Sequence, residues 1–109
     1  MDLSAVRAWC LAQPETVESP HFALTSFRVN GKIVATAPPC GGEVRIFVGE
    51  LEARAVSDSF PNACEVLWWG RRVVGVRVWL AHADEGLVFE LLESSWGRRA
   101  PKRLLVGRA

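Results

Sequence analysis

The chain has 109 residues, 13 Lys+Arg against 12 Asp+Glu and three cysteines. That length fits one domain, burying roughly 60–70% of the surface its unfolded form exposes, without needing a metal or disulfide staple. Half the residues are hydrophobic and 23% are charged, which excludes a disordered chain, and the net charge of +1 excludes a uniform polycation.

Charge is unevenly spread. The first 59 residues carry five basic and seven acidic side chains, whereas Ser94–Ala109 carries Arg98, Arg99, Lys102, Arg103 and Arg108 with no acid. A basic segment at about 98–109 on a near-neutral body attracts a polyanion locally, or simply solubilises the end of the chain. The N-terminus lacks a basic region followed by an unbroken apolar run, so no signal peptide is expected there. No stretch approaches the roughly 20 apolar residues that span a bilayer. Cys10, Cys40 and Cys64 are odd in number and widely spaced, which rules out a closed disulfide framework and suits a reducing cytosol.

In chain order, Leu3, Val6 and Cys10 recur at helical spacing. They predict a helix over about 3–13, capped by Asp2 or Ser4 and stopped by Pro14. A short connector closes at Pro20. Positions 21–29 and 32–36 then read as two strands joined at Asn30-Gly31. Both central residues of a type I′ turn need positive φ, which Asn tolerates and Gly accepts freely, so this is the strongest local signal in the chain. Pro38-Pro39 ends the second strand because neither residue donates to a ladder. After Cys40-Gly41-Gly42, Val44, Ile46 and Val48 line one face of a third strand.

A short helix over 50–58 is expected to turn Leu51 and Ala55 inward, with Pro61 and Asn62 marking the next loop. Apolar runs at 64–69 and 73–80, joined by Gly70-Arg71-Arg72, predict a second antiparallel hairpin rich in tryptophan. A hairpin cannot bury both faces by itself, so at least one helix must cover the sheet. The last helix begins at an Asp84 cap, shows Leu87, Val88, Leu91, Leu92 and Ser95 on one face, and is expected to end at Gly97. The fold class is therefore α+β: a single domain over 1–109, an antiparallel sheet of about five strands with helices packed on it, in the order α-β-β-β-α-β-β-α.

Several stretches together resemble the MmcQ/YjbR-like family. They are Cys10-Leu11-Ala12-Gln13-Pro14, Pro20-His21-Phe22, Phe27-Arg28-Val29-Asn30-Gly31-Lys32-Ile33, the Trp68–Trp79 hairpin, the helix Leu87–Trp96 and the ending Ala100-Pro101-Lys102-Arg103. The resemblance covers nearly the whole chain. It implies an α+β double-wing arrangement and a DNA-binding role, the latter by likeness to a viral transcription factor domain, which is an analogy of fold. Family members often carry a polar or histidine-containing segment before the fifth strand. The corresponding stretch here, Trp69-Gly70-Arg71-Arg72-Val73-Val74, has no histidine, so a site built on that histidine lacks it.

Catalytic chemistry finds little support. The three cysteines and two histidines form no CxxC, CxxH or HxxxH, so neither a zinc site nor any other metal or cofactor is expected. Cys40 in its glycine loop reads as a plain loop cysteine unless His21 or His82 activates it. Glu90 and Glu93 fall at i,i+3 on a solvated helix face, which defines no acid–base pair. Gly41-Gly42 lacks the Lys-Ser/Thr of a phosphate loop.

The basic residues are the better lead. Arg28 and Lys32 flank the first hairpin turn, Arg71 and Arg72 form the second, and Arg98, Arg99, Lys102 and Arg103 follow the last helix. Turn tips and a basic tail contact phosphates, and a two-stranded ribbon enters a major groove. The expectation is a non-enzymatic, cytoplasmic domain that binds double-stranded DNA through these eight residues, without membrane attachment. The plain alternative is three unrelated solvated turns. A protein-interaction module with a Trp-bearing surface, or a small-molecule site or enzyme beneath the sheet, are the competing functions.

Overall fold

A computed structural model describes residues 1–106, leaving Arg108 of the basic segment outside the described residues. Helix α1 (Leu3–Ala12) is capped by Asp2, whose carboxylate accepts from the Ala5 N–H. Four strands follow: β1 (Thr16–His21), β2 (Leu24–Val29), β3 (Lys32–Ala37) and β4 (Glu43–Ile46). Helix α2 (Glu50–Ser59), strands β5 (Cys64–Trp69) and β6 (Arg72–Trp79), helix α3 (Glu85–Arg99) and the one-turn α4 (Lys102–Leu105) complete the described chain.

The sheet is antiparallel, with strand order β1-β2-β3-β4-β6-β5. It has six strands, not about five. The connector before Pro20 is the extra one, pairing Thr16 with Val29 through to His21 with Leu24. Pro20 is tolerated because β1 is an edge strand and one of its sides has no ladder to feed. The expected strand over 21–29 is consequently broken at Phe22-Ala23, a two-residue hairpin loop.

The Asn30-Gly31 turn forms as expected, with φ of 53° and 74°. Its counterpart at Gly70-Arg71 closes the β5–β6 hairpin, where Gly70 has φ of 62°. The two hairpins are built alike. In each, a register shift two pairs from the turn leaves one residue of the second strand unpaired: Val34 opposite Phe27/Arg28, and Val74 opposite Leu67/Trp68. Such bulges increase local twist and re-aim the tip.

Helices cover one face of the sheet. Phe27, Ile46, Val76 and Val78 from the strands meet Val6 and Cys10 of α1, Ala53 and Val56 of α2, and Leu91, Leu92 and Trp96 of α3. Two buried bonds fix α3 to the sheet: Ser95 Oγ donates to the Val34 carbonyl (2.8 Å) and Trp96 Nε1 to Thr16 Oγ1 (2.8 Å). No described helix is long and apolar enough to cross a membrane.

Two helix expectations are corrected. Ala53 and Val56 face the core in α2, while Leu51 is 87% exposed and Ala55 points outward. Packing against β5 and β6 sets the helix phase and overrides the greasier Leu51. Helix α3 does not end at Gly97 but runs on to Arg99. A helix interior tolerates Gly at roughly 1 kcal/mol, whereas the residue before proline is driven to extended backbone. Ala100, before Pro101, adopts φ −66° and ψ 144° and is the true stop.

Candidate nucleic-acid interface

Strand directions decide which turns lie together. β2 and β5 run one way, β3 and β6 the other, so Asn30-Gly31 and Gly70-Arg71 lie at the same end of the sheet. The C-terminus of α3 reaches that end as well. Arg71, Arg72, Arg98 and Arg99 line one cleft of about 410 Å³, together with Gly49 and Glu50. An adjoining cleft of about 370 Å³ joins Lys32, Arg72 and Arg99 to Trp69 and Phe47.

Five of the eight predicted residues are thus brought together: Lys32, Arg71, Arg72, Arg98 and Arg99. Among the described residues, none of the five is within ion-pair distance of a carboxylate. Glu50, the acid beside them, is engaged by Arg54 at 2.7 Å. Arg98 donates to the Phe47 carbonyl (3.4 Å), and the Arg99 Nε is shielded from solvent with no acceptor among the described residues. Burial, and then the neighbouring Arg98 charge, hold the Arg99 guanidinium below its usual pKa. The negative end of the α3 dipole partly offsets this crowding of like charge.

The other predicted cations behave differently. Arg28 folds back over the sheet, donating from Nε to Ser26 Oγ (3.0 Å) and from Nη2 to His21 Nδ1 (3.1 Å). Arg103 forms a two-pronged pair with Glu15, which holds that carboxyl below its ordinary range. Lys102 is exposed in α4 and lines neither cleft. The remaining described arginines, Arg7, Arg45, Arg54 and Arg77, all carry ion pairs. What sets the five apart is their convergence: Arg28 and Lys102 also lack an ion pair among the described residues, but neither lines these clefts.

No described helix packs on the second face of the sheet, and sequence reasoning did not identify its groove. Alternation along the strands points His21, Leu24, Ile33, Phe47, Leu67 and Trp69 onto this face. With Phe22, Trp68 and Arg45 they line a groove of about 430 Å³. The signal was present in Trp68-Trp69: adjacent strand residues point to opposite faces, so both rings cannot join one core. Glu43 and Glu65 neutralise the groove-lining Arg45 and the Arg77 that faces it on β6.

Candidate catalytic groups are not assembled. Cys40 is exposed and its Sγ approaches the Gly41 carbonyl (3.8 Å), His21 engages Arg28, and neither histidine hydrogen-bonds the thiol. Among the described residues, no group of three or more His, Cys, Asp or Glu is placed to hold a metal ion. Cys10 and Cys64 are buried, and burial pushes the Cys10 thiol up to about 12 and raises that of Cys64.

No protein-family model and no curated protein matches the sequence. The structure is similar to the crystal structure of Deinococcus radiodurans protein DR2400, a DUF419 domain. The TM-score is 0.76 over 97% of this chain and 79% of that one, at 16% sequence identity. That likeness establishes the fold: a small α+β domain with helices on one face of a six-stranded antiparallel sheet.

Proposed function

We propose that this chain is an MmcQ/YjbR-like, non-enzymatic DNA-binding domain of the cytoplasm, and that Lys32, Arg71, Arg72, Arg98 and Arg99 contact phosphates. The observation that carries the reading is the convergence of five cations, from three separate elements, with no carboxylate partner among the described residues. Holding like charges together is unfavourable until a polyanion neutralises them. Lys102 and Arg103 extend the basic surface less effectively, the latter because Glu15 already engages it. The sequence likeness to the MmcQ/YjbR-like family and the fold likeness to a DUF419 domain support the reading without determining the ligand.

A labelled duplex titrated at several salt concentrations tests it. Affinity should fall steeply with salt, and Arg71→Ala/Arg72→Ala should reduce the log–log slope by roughly 2, near 0.9 for each phosphate no longer neutralised. No binding at low salt, or binding indifferent to the double replacement, would sink the proposal. A second reading, a protein-interaction module, draws on the apolar groove beside Trp68 and Trp69, which are 52% and 77% exposed. The cationic rim favours a polyanion.

A further inference from the structure

The helix-free face carries something that phosphate binding alone does not require: accessible aromatic rings beside the cations. Trp69 lies at the end of the edge strand β5, 77% exposed, and no described ring or guanidinium covers it. Trp68 differs, because the Arg54 guanidinium sits 5.5 Å from its ring centroid. Trp69, Phe47, Ile33 and Val74 line both the apolar groove and the cleft bounded by Lys32, Arg72 and Arg99. Rings and cations therefore form one continuous surface.

Two further features point into the groove. Phe22 lies at its far corner, at the β1–β2 turn, where it is 95% exposed with φ of 57°. Bulky side chains rarely adopt that backbone conformation, and the exposed ring gains almost no core packing in return. Arg45 also lines the groove; its guanidinium is paired with Glu43 through Nη2 (3.6 Å), while its Nε is shielded from solvent and has no acceptor among the described residues.

Duplex DNA keeps its base faces inside the stack and presents phosphates and groove edges. A single strand presents phosphates and unstacked base faces together, and an aromatic platform beside a basic track matches both. We propose that this surface binds single-stranded DNA, with a base stacked on Trp69, neighbouring bases along the groove toward Phe22, and phosphates on Lys32, Arg72 and Arg99. The proposal rests on the DNA-binding reading and specifies the strand state it prefers.

Fluorescence anisotropy at low salt, with labelled oligothymidine and a duplex of equal length, tests this on the full chain. The single strand should bind more tightly. Trp69→Ala should weaken it roughly tenfold, as expected for loss of one stacked base, while leaving duplex binding unchanged; Trp69→Phe should restore most of the loss. Because Trp69 is exposed, neither variant should disturb folding, which circular dichroism checks.

Duplex binding with single-strand affinity unmoved by Trp69→Ala would overturn this inference and leave the phosphate reading intact. Failure of both DNAs to bind at low salt would overturn both. Oligouridine bound about tenfold more tightly than oligothymidine would overturn the assignment to DNA. A concentration-dependent dimer abolished by Trp69→Ala would overturn it in favour of a second copy of this chain.

Discussion

Replacing Phe22 with glycine should stabilise the protein while weakening any ligand that uses the groove. Phe22 is the first central residue of a two-residue hairpin loop, closed by the His21–Leu24 pair, and has φ of 57°. Left-handed backbone costs a residue bearing a Cβ about 1–2 kcal/mol, and hairpins with positive φ at this position favour glycine. Glycine returns about 0.5–1 kcal/mol of that gain through its greater freedom in the unfolded chain. Little burial is sacrificed, since the ring is 95% exposed and its one described ring contact is edge-on to His21, centroids 4.9 Å apart.

The balance is about 0.5–1 kcal/mol in favour of Phe22→Gly, a rise in Tm of a few degrees at roughly 4–8 °C per kcal/mol. Phe22→Ala removes the ring but keeps the Cβ, and should be close to neutral. Urea unfolding of the three proteins, followed by circular dichroism, measures the differences. A Phe22→Gly variant less stable than wild type by more than about 0.5 kcal/mol would refute the reasoning, because the ring would then be stabilising the turn.

Gly75 is the reverse case: a Cβ there would collide with the Ile46 carbonyl and the Phe47 backbone. Gly75→Ala should therefore cost about 1–3 kcal/mol, and an unchanged Tm would show that β4 and β6 can separate without penalty. Glu18 accepts hydrogen bonds from Arg7 (2.9 and 3.2 Å), which chiefly depress its pKa, with Thr25 and the Arg7 charge adding to the effect. A depressed folded-state pKa contributes stability above the unfolded value, near about 4.3, and that contribution fades as pH falls through the folded pKa. Glu18→Gln should thus be less stable at about pH 7, by about 1 kcal/mol or less, with the deficit shrinking by about pH 3; an equal deficit at both in urea melts would contradict the linkage. Mild thiol labelling followed by mass spectrometry should modify Cys40 alone, since Cys10 and Cys64 are buried with raised pKa values. Rapid labelling of either buried thiol would show local opening of α1 or β5.

Much of the fold was legible because its signals are local. Asn30-Gly31, Pro38-Pro39 and the Asp84 cap act through their own backbone geometry, and all three work as their chemistry requires. β1 was hidden because Thr16–His21 contains Pro20 and owes its strand state to pairing with β2, which no window of its own residues reveals. The phase of α2 was hidden similarly: Leu51 outranks Ala53 in hydrophobicity, and only packing against β5 and β6 reverses them.

At the candidate site, residue types were readable and their partners were not. Arg103 resembles Arg98 and Arg99 in sequence, yet it lies across from Glu15, 88 positions away. The convergence of Arg72 with Arg99 follows from strand order, a property of the assembled sheet. A Trp-bearing surface was legible, since the adjacency of Trp68 and Trp69 requires one ring to point away from the core; the groove was not, because Phe22, Ile33 and Phe47 join it from elements distant in sequence.

The strand order also bears on how the molecule assembles. Four of the five pairings join strands adjacent in sequence, while β4–β6 alone spans the intervening α2 and β5. The meander β1–β4 and the hairpin β5–β6 can each form through short loop closures, leaving the Ile46–Val76 seam as the long-range step. Lys32 belongs to the first unit, Arg71 and Arg72 to the second, and Arg98 and Arg99 to the helix that packs on β3 and β4. The cationic surface consequently comes into being only when the seam closes. Amide exchange at Ile46 and Val76 becomes a clock for the birth of the site, and a nascent chain short of β6 carries its positive charges without a place to use them.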